Sequence, residues 1–376
     1  MAANKIENAP WVRLGDYIER SMVNNSDLKY GTEFIEGVNS NGEFCKTKAD
    51  LLDINLKPYK LVNNGDFVYN PSRFNIGSIA YRTTGFCIVS HLYVVFRLNE
   101  LGKEKINPLY LYMYIYRDEF FRMITYLNFG SQRPEFNFFE LSDIKIPLPS
   151  IETQNEIVAV YNGLNELAEE NEKLLEPISK SCEAFIVDCK KKYPKKRLGD
   201  LIEDIDIKNS DNKIKAVKSV SVTKEFKETG AKVNKEELSG YKLVPPRHLS
   251  YVQTTKNEKC FANALNTSNE TYVVTSVNKV IKSKNESILD IGFLHLFLRR
   301  NEFDRFAIFN SWGSAREVFS YEDLCDAQIP LPPIQIQQKI VDLYNCYEEC
   351  KRIAKEAREK ISNLCPALVQ KAAHSK

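Results

Sequence analysis

The sequence of 376 residues contains no apolar run of the ~20 residues that a membrane-spanning helix needs. Its N-terminus lacks the basic and then apolar layout of a signal peptide. Its nine cysteines include no Cys-x-x-Cys pair and occur with four histidines, which disfavours a structural zinc site. These absences predict a protein without membrane segments or bound metal, with free thiols in a reducing cytoplasm.

The residue patterns of common active sites are also missing. A nuclease needs clustered carboxylates and a lysine around magnesium, and Asp143 with Lys145 imitates that pattern. So does Asp211 with the segment 225–227, which is better explained as a solvated charged surface. The repeat weakens the first pattern, because Gln328 stands where a lysine would match Lys145. No glycine-rich cofactor loop is present, and no Asn/Asp-Pro-Pro-aromatic segment of a methyltransferase. We therefore predict that the chain is not an enzyme and has no catalytic residues and no cofactor of its own.

What the sequence does contain is a long internal duplication. Residues 128–188 read again at 311–371, shifted by 183 positions, and two shorter motifs near the start of each half return at nearly the same shift. The matching segments are Arg13-Leu14-Gly15-Asp16 with Arg197-Leu198-Gly199-Asp200, Gly130-Ser131-Gln132-Arg133 with Gly313-Ser314-Ala315-Arg316, Ile146-Pro147-Leu148-Pro149 with Ile329-Pro330-Leu331-Pro332, and Gln154 with Gln337. A period this long indicates a duplicated domain, because solenoid repeats are far shorter. Such a molecule suits a target that itself has two parts.

Charge is distributed unevenly along the chain. Residues 151–189 carry nine acidic groups against two lysines, whereas residues 190–330 carry 25 basic groups against 19 acidic ones. The basic stretch is compatible with a phosphate backbone, but a net charge of +2 is weak evidence for nucleic acid.

The repeat divides the chain into a domain at 1–150, a long helix at 151–193, a second domain at 194–332 and a second long helix at 333–376. Both domains mix short runs of β-branched and aromatic residues with turn signals and helical segments, so the fold class is α+β. The helical segments of the domains are predicted at Leu109 to Leu127 and at Phe293 to Phe309.

Apolar residues recur at alternating spacings of three and four after each Ile-Pro-Leu-Pro segment, which predicts helices that pair with a partner helix. The two copies are the obvious partners, and the chain order favours an antiparallel pair. Breaks or kinks are expected at Pro177 and Pro366. The alternative is that each helix packs on its own domain. The residues predicted to pair the helices are Ile157, Leu164, Leu167, Leu174, Ile178, Phe185, Ile340, Leu343, Tyr347, Ile361, Leu364 and Leu368.

Two variable domains, each followed by an Ile-Pro-Leu-Pro turn and a long helix with an early glutamine, resemble the specificity (S) subunit of Type I restriction-modification systems. The pattern Leu-Pro-x-Ile-x-x-Gln occurs twice, ending at Gln154 and Gln337. The family commonly has glutamate before this glutamine, and Thr153 and Ile336 replace it here. The resemblance covers nearly the whole chain and is strongest in the repeated tails.

The resemblance implies that each half is a target recognition domain reading one part of a split site in double-stranded DNA. The helices form the spacer on which two methyltransferase subunits dock, and restriction subunits with motor activity join the full complex. Methylation at adenine N6 then belongs to the partners, as do S-adenosylmethionine, ATP and magnesium.

Candidate base-reading residues are polar and rich in amides, since Asn and Gln pair with adenine and Arg pairs with guanine. The alternative interpretation of these stretches is solvated turns. The candidates are Asn70, Ser72, Arg73 and Asn75 in the first domain and Gln253, Thr254, Thr255, Lys256 and Asn257 in the second.

The two Gly-Ser-x-Arg segments supply a second set of candidates, Ser131 with Arg133 and Ser314 with Arg316. Because they occur in the most regular part of the repeat, a shared task such as phosphate contact is favoured over sequence discrimination. A purely structural role for these segments is equally compatible with the sequence. The competing function for the whole chain is a two-headed coiled-coil scaffold that joins proteins and never contacts DNA.

Overall fold

The computed structural model describes residues 9–47, 54–127, 135–230, 232–254, 260–312 and 317–374. Its internal contacts divide the chain into two units. Unit 1 comprises Met1–Glu170 with Ile353–Lys376, and unit 2 comprises Asn171–Arg352. Each unit therefore contains one globular domain and one stretch of each long helix.

Unit 1 is a mixed domain of short strands and helices. Its elements are β1 (Trp11–Arg13), β2 (Ile18–Ser21), β3 (Glu36–Val38), β4 (Phe44–Lys46), β5 (Lys60–Val62), β6 (Phe67–Tyr69), β7 (Ile79–Tyr81), β8 (Cys87–Val89), β9 (Val94–Leu98), α1 (Glu100–Lys105), α2 (Pro108–Ile115), α3 (Asp118–Leu127), α4 (Phe138–Asp143), β10 (Lys145–Pro147) and the start of α5 (Ile151–Lys192).

Unit 2 repeats this order. Its elements are the end of α5, β11 (Lys195–Arg197), β12 (Ile202–Asp204), β13 (Lys218–Val220), β14 (Phe226–Glu228), β15 (Lys242–Val244), β16 (Leu249–Val252), β17 (Asn263–Leu265), β18 (Tyr272–Val274), β19 (Asn278–Ser283), α6 (Ile291–Leu298), α7 (Asn301–Phe309), α8 (Tyr321–Asp326), β20 (Gln328–Pro330) and the start of α9 (Ile334–His374).

The sheets of the two units have the same topology. The main antiparallel sheet has the strand order β2-β9-β6-β7 in unit 1 and β12-β19-β16-β17 in unit 2. Smaller antiparallel pairs accompany each sheet, namely β1-β10, β3-β4 and β5-β8 in unit 1 and β11-β20, β13-β14 and β15-β18 in unit 2. The predicted α+β fold with a duplicated domain is confirmed.

Each sheet is covered by the helices that follow it, and local sequence determines where these helices begin. The Asn107 side chain accepts hydrogen bonds from the backbone N–H groups of Leu109 and Tyr110 at the start of α2. Asn137 and Glu140 form a capping box at α4, and Ser320 and Asp323 form the equivalent box at α8. Buried apolar residues of each sheet and its helices then form one main core per unit.

The predicted single helices at 109–127 and 293–309 are wrong in one respect, because each is two helices. Arg117 interrupts the first segment. Its Nε donates to the carbonyl oxygen of Tyr114 at 2.9 Å, and its guanidinium lies 4.2 Å from the centre of the Tyr114 ring. In the second segment, Arg300 has an extended backbone and precedes the new helix α7.

The two long helices run antiparallel within each unit. In unit 1, Arg358 of α9 donates to the side-chain oxygen of Asn165 of α5 at 2.6 Å. One turn earlier in α5, Tyr161 is close enough to Cys365 for the thiol to influence its pKa, which burial raises. An earlier residue of α5 thus meets a later residue of α9, as antiparallel pairing requires.

The same arrangement holds in unit 2, where Ile186 of α5 and Ile340 of α9 belong to one core. Both α5 and α9 continue without a break through Pro177 and Pro366. The predicted antiparallel helix pair is confirmed. In the described part of the chain, no helix is long and apolar enough to cross a membrane.

Candidate nucleic-acid interface

The predicted base-reading residues that the structure describes lie in equivalent places in the two units. Reading loop 1 (residues 70–78) connects β6 to β7, and reading loop 2 (residues 253–262) connects β16 to β17. In both cases the loop joins the last two strands in the order of the main sheet. The two polar stretches, which the sequence identified only by their composition, therefore belong to topologically equivalent loops.

Reading loop 1 is a compact turn. The Asn70 side-chain oxygen accepts from the Ser72 backbone N–H at 3.0 Å, and the Asn70 carbonyl accepts from the Arg73 N–H at 3.0 Å. Ser72 and Arg73 are exposed, and Asn75 is half-buried. Gly77 closes the turn with a φ of +92°, and a Cβ there would come within 2.5 Å of a backbone oxygen. Glycine is thus required for this loop geometry.

Reading loop 1 packs on a cluster of phenylalanine side chains. The buried Phe74 ring lies 6.0 Å from the Phe120 ring and 5.8 Å from the Phe136 ring, centre to centre. The Phe136 N–H donates to the carbonyl of Pro71 at 3.0 Å. A loop whose buried side is fixed in this way can hold exposed polar groups in one geometry, as specific recognition demands.

Reading loop 2 is anchored by the equivalent backbone contact. The Phe319 N–H donates to the Gln253 carbonyl at 2.8 Å, and Thr254 forms a β-bridge with Val318. Gln253 is half-buried and Thr254 is exposed. Thr255, Lys256 and Asn257 lie outside the described residues, so their reading role stays a prediction.

The Gly-Ser-x-Arg segments also lie outside the described residues, and the roles of Ser131, Arg133, Ser314 and Arg316 stay predictions. The structure does describe the residues that follow each segment, from 135 and from 317 onwards. Phe136 and Val318, which follow the two segments in sequence, contact reading loops 1 and 2.

The repeated Arg-Leu-Gly-Asp motif has a structural role in both units. Arg13 pairs with Asp143 at 2.7 Å, and Arg197 pairs with Asp326. The intervening glycine allows a close approach, since a Cβ at Gly15 would lie 2.8 Å from the Cβ of Ser142. The motif therefore fastens the first strand of each domain to its last helix. This ion pair also accounts for Asp143, which the sequence placed in a nuclease-like pattern.

The carboxylates of the other nuclease-like pattern also form ion pairs, in this case with lysines. Asp211 lies 2.9 Å from Lys213, and Glu225 lies 2.8 Å from Lys351. Among the described residues, no group of three or more His, Cys, Asp or Glu side chains is placed to hold a metal ion.

The early glutamine of each long helix connects that helix to its domain. Gln337 is fully buried; it accepts from the Asp290 N–H at 2.9 Å and donates to the carbonyls of Ile288 and Pro332 at 2.8 Å each. Gln154 makes the equivalent bonds in unit 1. A buried amide with both ends satisfied fixes the start of the helix against the N-terminus of α6 or α2.

The residues predicted to pair the helices fall into three groups by exposure. Ile157 and Ile340 are buried. A second group is half-buried, and comprises Leu164, Ile178, Leu343, Tyr347, Ile361 and Leu368. The third group is 43% to 51% exposed, and comprises Leu167, Leu174, Phe185 and Leu364.

For that third group the predicted position within the helix pair is wrong. The buried positions are instead occupied largely by small residues, namely Ala168, Cys182, Cys189, Ala354, Ala357 and Cys365, together with Ile186 and Val369. The physical reason is that α5 and α9 also pack on the domain of each unit, so the buried face does not follow one strict seven-residue repeat.

Comparison with known families gives a match over most of the chain. The family model of the Type I restriction modification DNA specificity domain (Methylase_S) matches twice, at residues 12–178 and 190–363. None of the curated proteins compared with this chain is a match.

Solved structures of similar length resemble this one. The S subunit of a Type I restriction-modification system from M. genitalium has 12% identity and a TM-score of 0.60, covering 99% of this chain and 98% of that one. The HsdS subunit from Thermoanaerobacter tengcongensis has 18% identity and a TM-score of 0.43, covering 97% of this chain and 96% of that one. The first of these supports the same fold.

Proposed function

Because the chain belongs to the family of Type I restriction modification DNA specificity domains, we propose that it recognises a two-part site in double-stranded DNA, one part with each unit. The observation that carries this proposal is the pair of equivalent reading loops. They share an anchoring hydrogen bond, Phe136 N–H to Pro71 in one and Phe319 N–H to Gln253 in the other. Their exposed side chains differ, so we expect the two units to read different bases.

The side chains of the loops have the chemistry for reading base edges. An exposed arginine such as Arg73 suits the two acceptors of guanine, and amides such as Asn75 and Gln253 suit adenine. Phosphate contacts set the position of a protein on the duplex but do not discriminate bases. We assign that positioning role to the basic residues of 190–330 and to the two Gly-Ser-x-Arg segments.

The helix pair is proposed as the docking platform for two methyltransferase subunits, with restriction subunits joining the full complex. Support comes from the exposed apolar side chains of α5, including Leu174 and Phe185. On this proposal the chain contributes recognition and geometry. Adenine methylation, S-adenosylmethionine, ATP and magnesium belong to the partners, and the complex acts on DNA in the cytoplasm.

A methylation map tests the proposed function. Adenine methylation is mapped across the genome of cells that carry the partner subunits, with and without this chain. We expect methylated adenines that depend on the chain and lie within a motif of two defined parts separated by a gap of fixed length. Exchanging residues 70–78 for another loop is expected to alter one part of the motif and leave the other intact.

The scaffold alternative predicts a different outcome. If the chain joins proteins without contacting DNA, no methylation depends on it, and the complex does not bind random duplex DNA even at low salt. A DNA-reading complex binds random duplex at low salt and loses that binding steeply as salt rises, because bound counterions are released from the phosphates.

A further inference from the structure

The equivalent helices α3 and α7 each carry an exposed aromatic ring in the last turn. Tyr126 at the end of α3 is 80% exposed, and Phe309 at the end of α7 is 83% exposed. Four residues before each ring, and so on the same face of the helix, is an exposed arginine, Arg122 in α3 and Arg305 in α7. We call these pairs the arginine–aromatic turns. They match at the 183-residue shift of the repeat.

Neither ring contributes to the core. The inward faces of these helices are formed by Phe120 and Ile124 in α3 and by Phe303 and Ala307 in α7, all buried. A single exposed apolar side chain is ordinary in a protein. A large ring left in water at the same place in both copies, one turn from a cation, is a pattern that folding alone does not explain.

In unit 1 the arginine–aromatic turn lies on the helix that supports reading loop 1. Phe121 of α3 faces Phe74 of the loop, with ring centres 6.5 Å apart. A shallow groove between helix and loop is lined in part by Asn75, Ile76 and Arg122. Arg122 of the arginine–aromatic turn and the predicted base-reading residue Asn75 therefore line one groove.

Unit 2 has the same arrangement with further contacts. The Phe261 N–H of reading loop 2 donates to the Asp304 carboxylate of α7 at 2.9 Å. Just beyond α7, Trp312 exchanges backbone hydrogen bonds with Val318, which in turn bridges to Thr254 of the loop. Trp312 is itself 72% exposed. Aromatic surface thus adjoins the proposed reading residues here too.

We propose that each arginine–aromatic turn is an additional DNA contact, in which the guanidinium binds a backbone phosphate and the ring packs in the groove against a base step. The inference rests on the proposed function and adds specific residues to it. The arginine and the ring lie one turn (~5.4 Å) apart on one helix face, so both can contact neighbouring parts of one duplex. Inserted apolar side chains are a known means of unstacking a base step and bending the duplex. Duplex DNA is favoured over a protein partner because the turns adjoin the reading loops and pair each ring with a cation.

The test uses the complete chain assembled with its methyltransferase subunits and a labelled duplex that carries the mapped site. We expect Phe309→Ala to weaken binding about tenfold or more, the scale of a lost ring–base contact, without changing the salt dependence. Arg305→Ala is expected to lower the slope of log affinity against log salt by about one, as loss of one phosphate contact requires. Phe309→Tyr is expected to retain binding, because unit 1 has tyrosine at the matching position.

A spectroscopic readout separates ring contact from a general loss of affinity. The fluorescent base 2-aminopurine, placed in turn at each position of the half-site, brightens when its neighbours unstack. We expect brightening at one step with the parent complex, and its loss with Phe309→Ala. The matched control is Ile288→Ala, which also removes an exposed apolar side chain of unit 2. Ile288 follows the C-terminal end of β19, whereas reading loop 2 lies at the N-terminal end of that strand.

The possible outcomes are distinct. A parent complex that fails to bind the duplex or random DNA contradicts the proposed function itself. A parent complex that binds, with Phe309→Ala indistinguishable from Ile288→Ala in affinity and in 2-aminopurine signal, overturns the present inference alone. Because Phe309 is exposed, unchanged thermal unfolding of Phe309→Ala serves to verify that the fold is intact.

Discussion

Replacing Asp304 by Asn is expected to lower the unfolding free energy of unit 2 by about 3 to 5 kcal/mol, because it leaves the Lys224 ammonium buried without a counter-charge. The Lys224 Nζ lies 2.7 Å from the Asp304 carboxylate, and the side chains are 7% and 14% exposed. Nζ also donates to the carbonyls of Leu298 and Arg299. A cation held by neutral oxygens alone cannot recover the solvation that burial removes.

This ion pair holds together three parts of unit 2. Lys224 lies at the tip of the β13–β14 hairpin, and its carbonyl accepts from Arg299 at 2.7 Å. Asp304 belongs to α7 and also accepts from the Phe261 N–H of reading loop 2. Loss of the pair is therefore expected to loosen the loop as well as the hairpin.

A rescue variant separates charge burial from lost packing. Lys224→Met with Asp304→Asn removes both charges and keeps an acceptor for Phe261, so it is expected to recover most of the stability. Asp211→Asn, which breaks an exposed pair in the same unit, is the control and should change little. Hydrogen exchange measured by peptide resolves unit 2 from unit 1. A double variant no more stable than Asp304→Asn contradicts this account.

Acidification is expected to destabilise unit 2 through His295. Burial, together with the nearby positive charges of Arg299 and Lys224, lowers the pKa of His295 to about 3. Its folded pKa is thus below the unfolded value of 6.5. Between these two pKa values His295 is protonated in the unfolded chain and neutral in the folded chain. The contribution of His295 to the unfolding free energy is therefore fully present above pH 6.5 and is lost as pH falls towards 3.

The size of the effect follows from the linkage. Each pH unit below the unfolded pKa costs about 1.4 kcal/mol, so the histidine removes about 2 kcal/mol by pH 5. Carboxylates also titrate in this range, and His295→Leu therefore serves as the reference. The parent should lose about 2 kcal/mol more than His295→Leu between pH 7 and pH 5 in chemical unfolding. Parallel pH curves for the two proteins would refute the assignment.

The duplicated architecture could be predicted because its determinants are local in sequence. Ile-Pro-Leu-Pro ends a strand wherever it occurs, and the structure has β10 and β20 ending at Pro147 and Pro330. The early glutamines Gln154 and Gln337 were identified as repeated, but not their purpose. The side chain of each glutamine forms hydrogen bonds with backbone groups 47 and 49 residues before it and 5 residues before it. Backbone partners can belong to any residue type, so the sequence pattern does not reveal them.

The breaks within the domain helices could not be predicted from periodicity. Apolar residues recur at helical spacing from Leu109 to Leu127, on both sides of the charged residues Arg117, Asp118 and Glu119. That arginine is buried because it packs on Tyr114, a contact that depends on the fold and not on composition.

The reading loops were identified by their polar composition, but nothing in the sequence pattern matched Pro71 with Gln253. The match comes from strand order, which is a non-local property. The arginine–aromatic turns were missed although Arg122 and Arg305 align in the repeat. Tyr126 and Phe309 look like core residues by type, and only their exposure distinguishes them.

We propose that the paired helices set the distance between the two halves of the DNA site. The most direct test of this claim is to delete one heptad from each helix, residues 167–173 of α5 and 350–356 of α9, and map adenine methylation again. Seven residues preserve the helical phase and shorten the pair by about 10 Å, or about three base pairs. We predict the same two half-sites with a gap shorter by about that number, and a correspondingly longer gap when a heptad is inserted. Methylation at the original gap length by the shortened protein would contradict the claim.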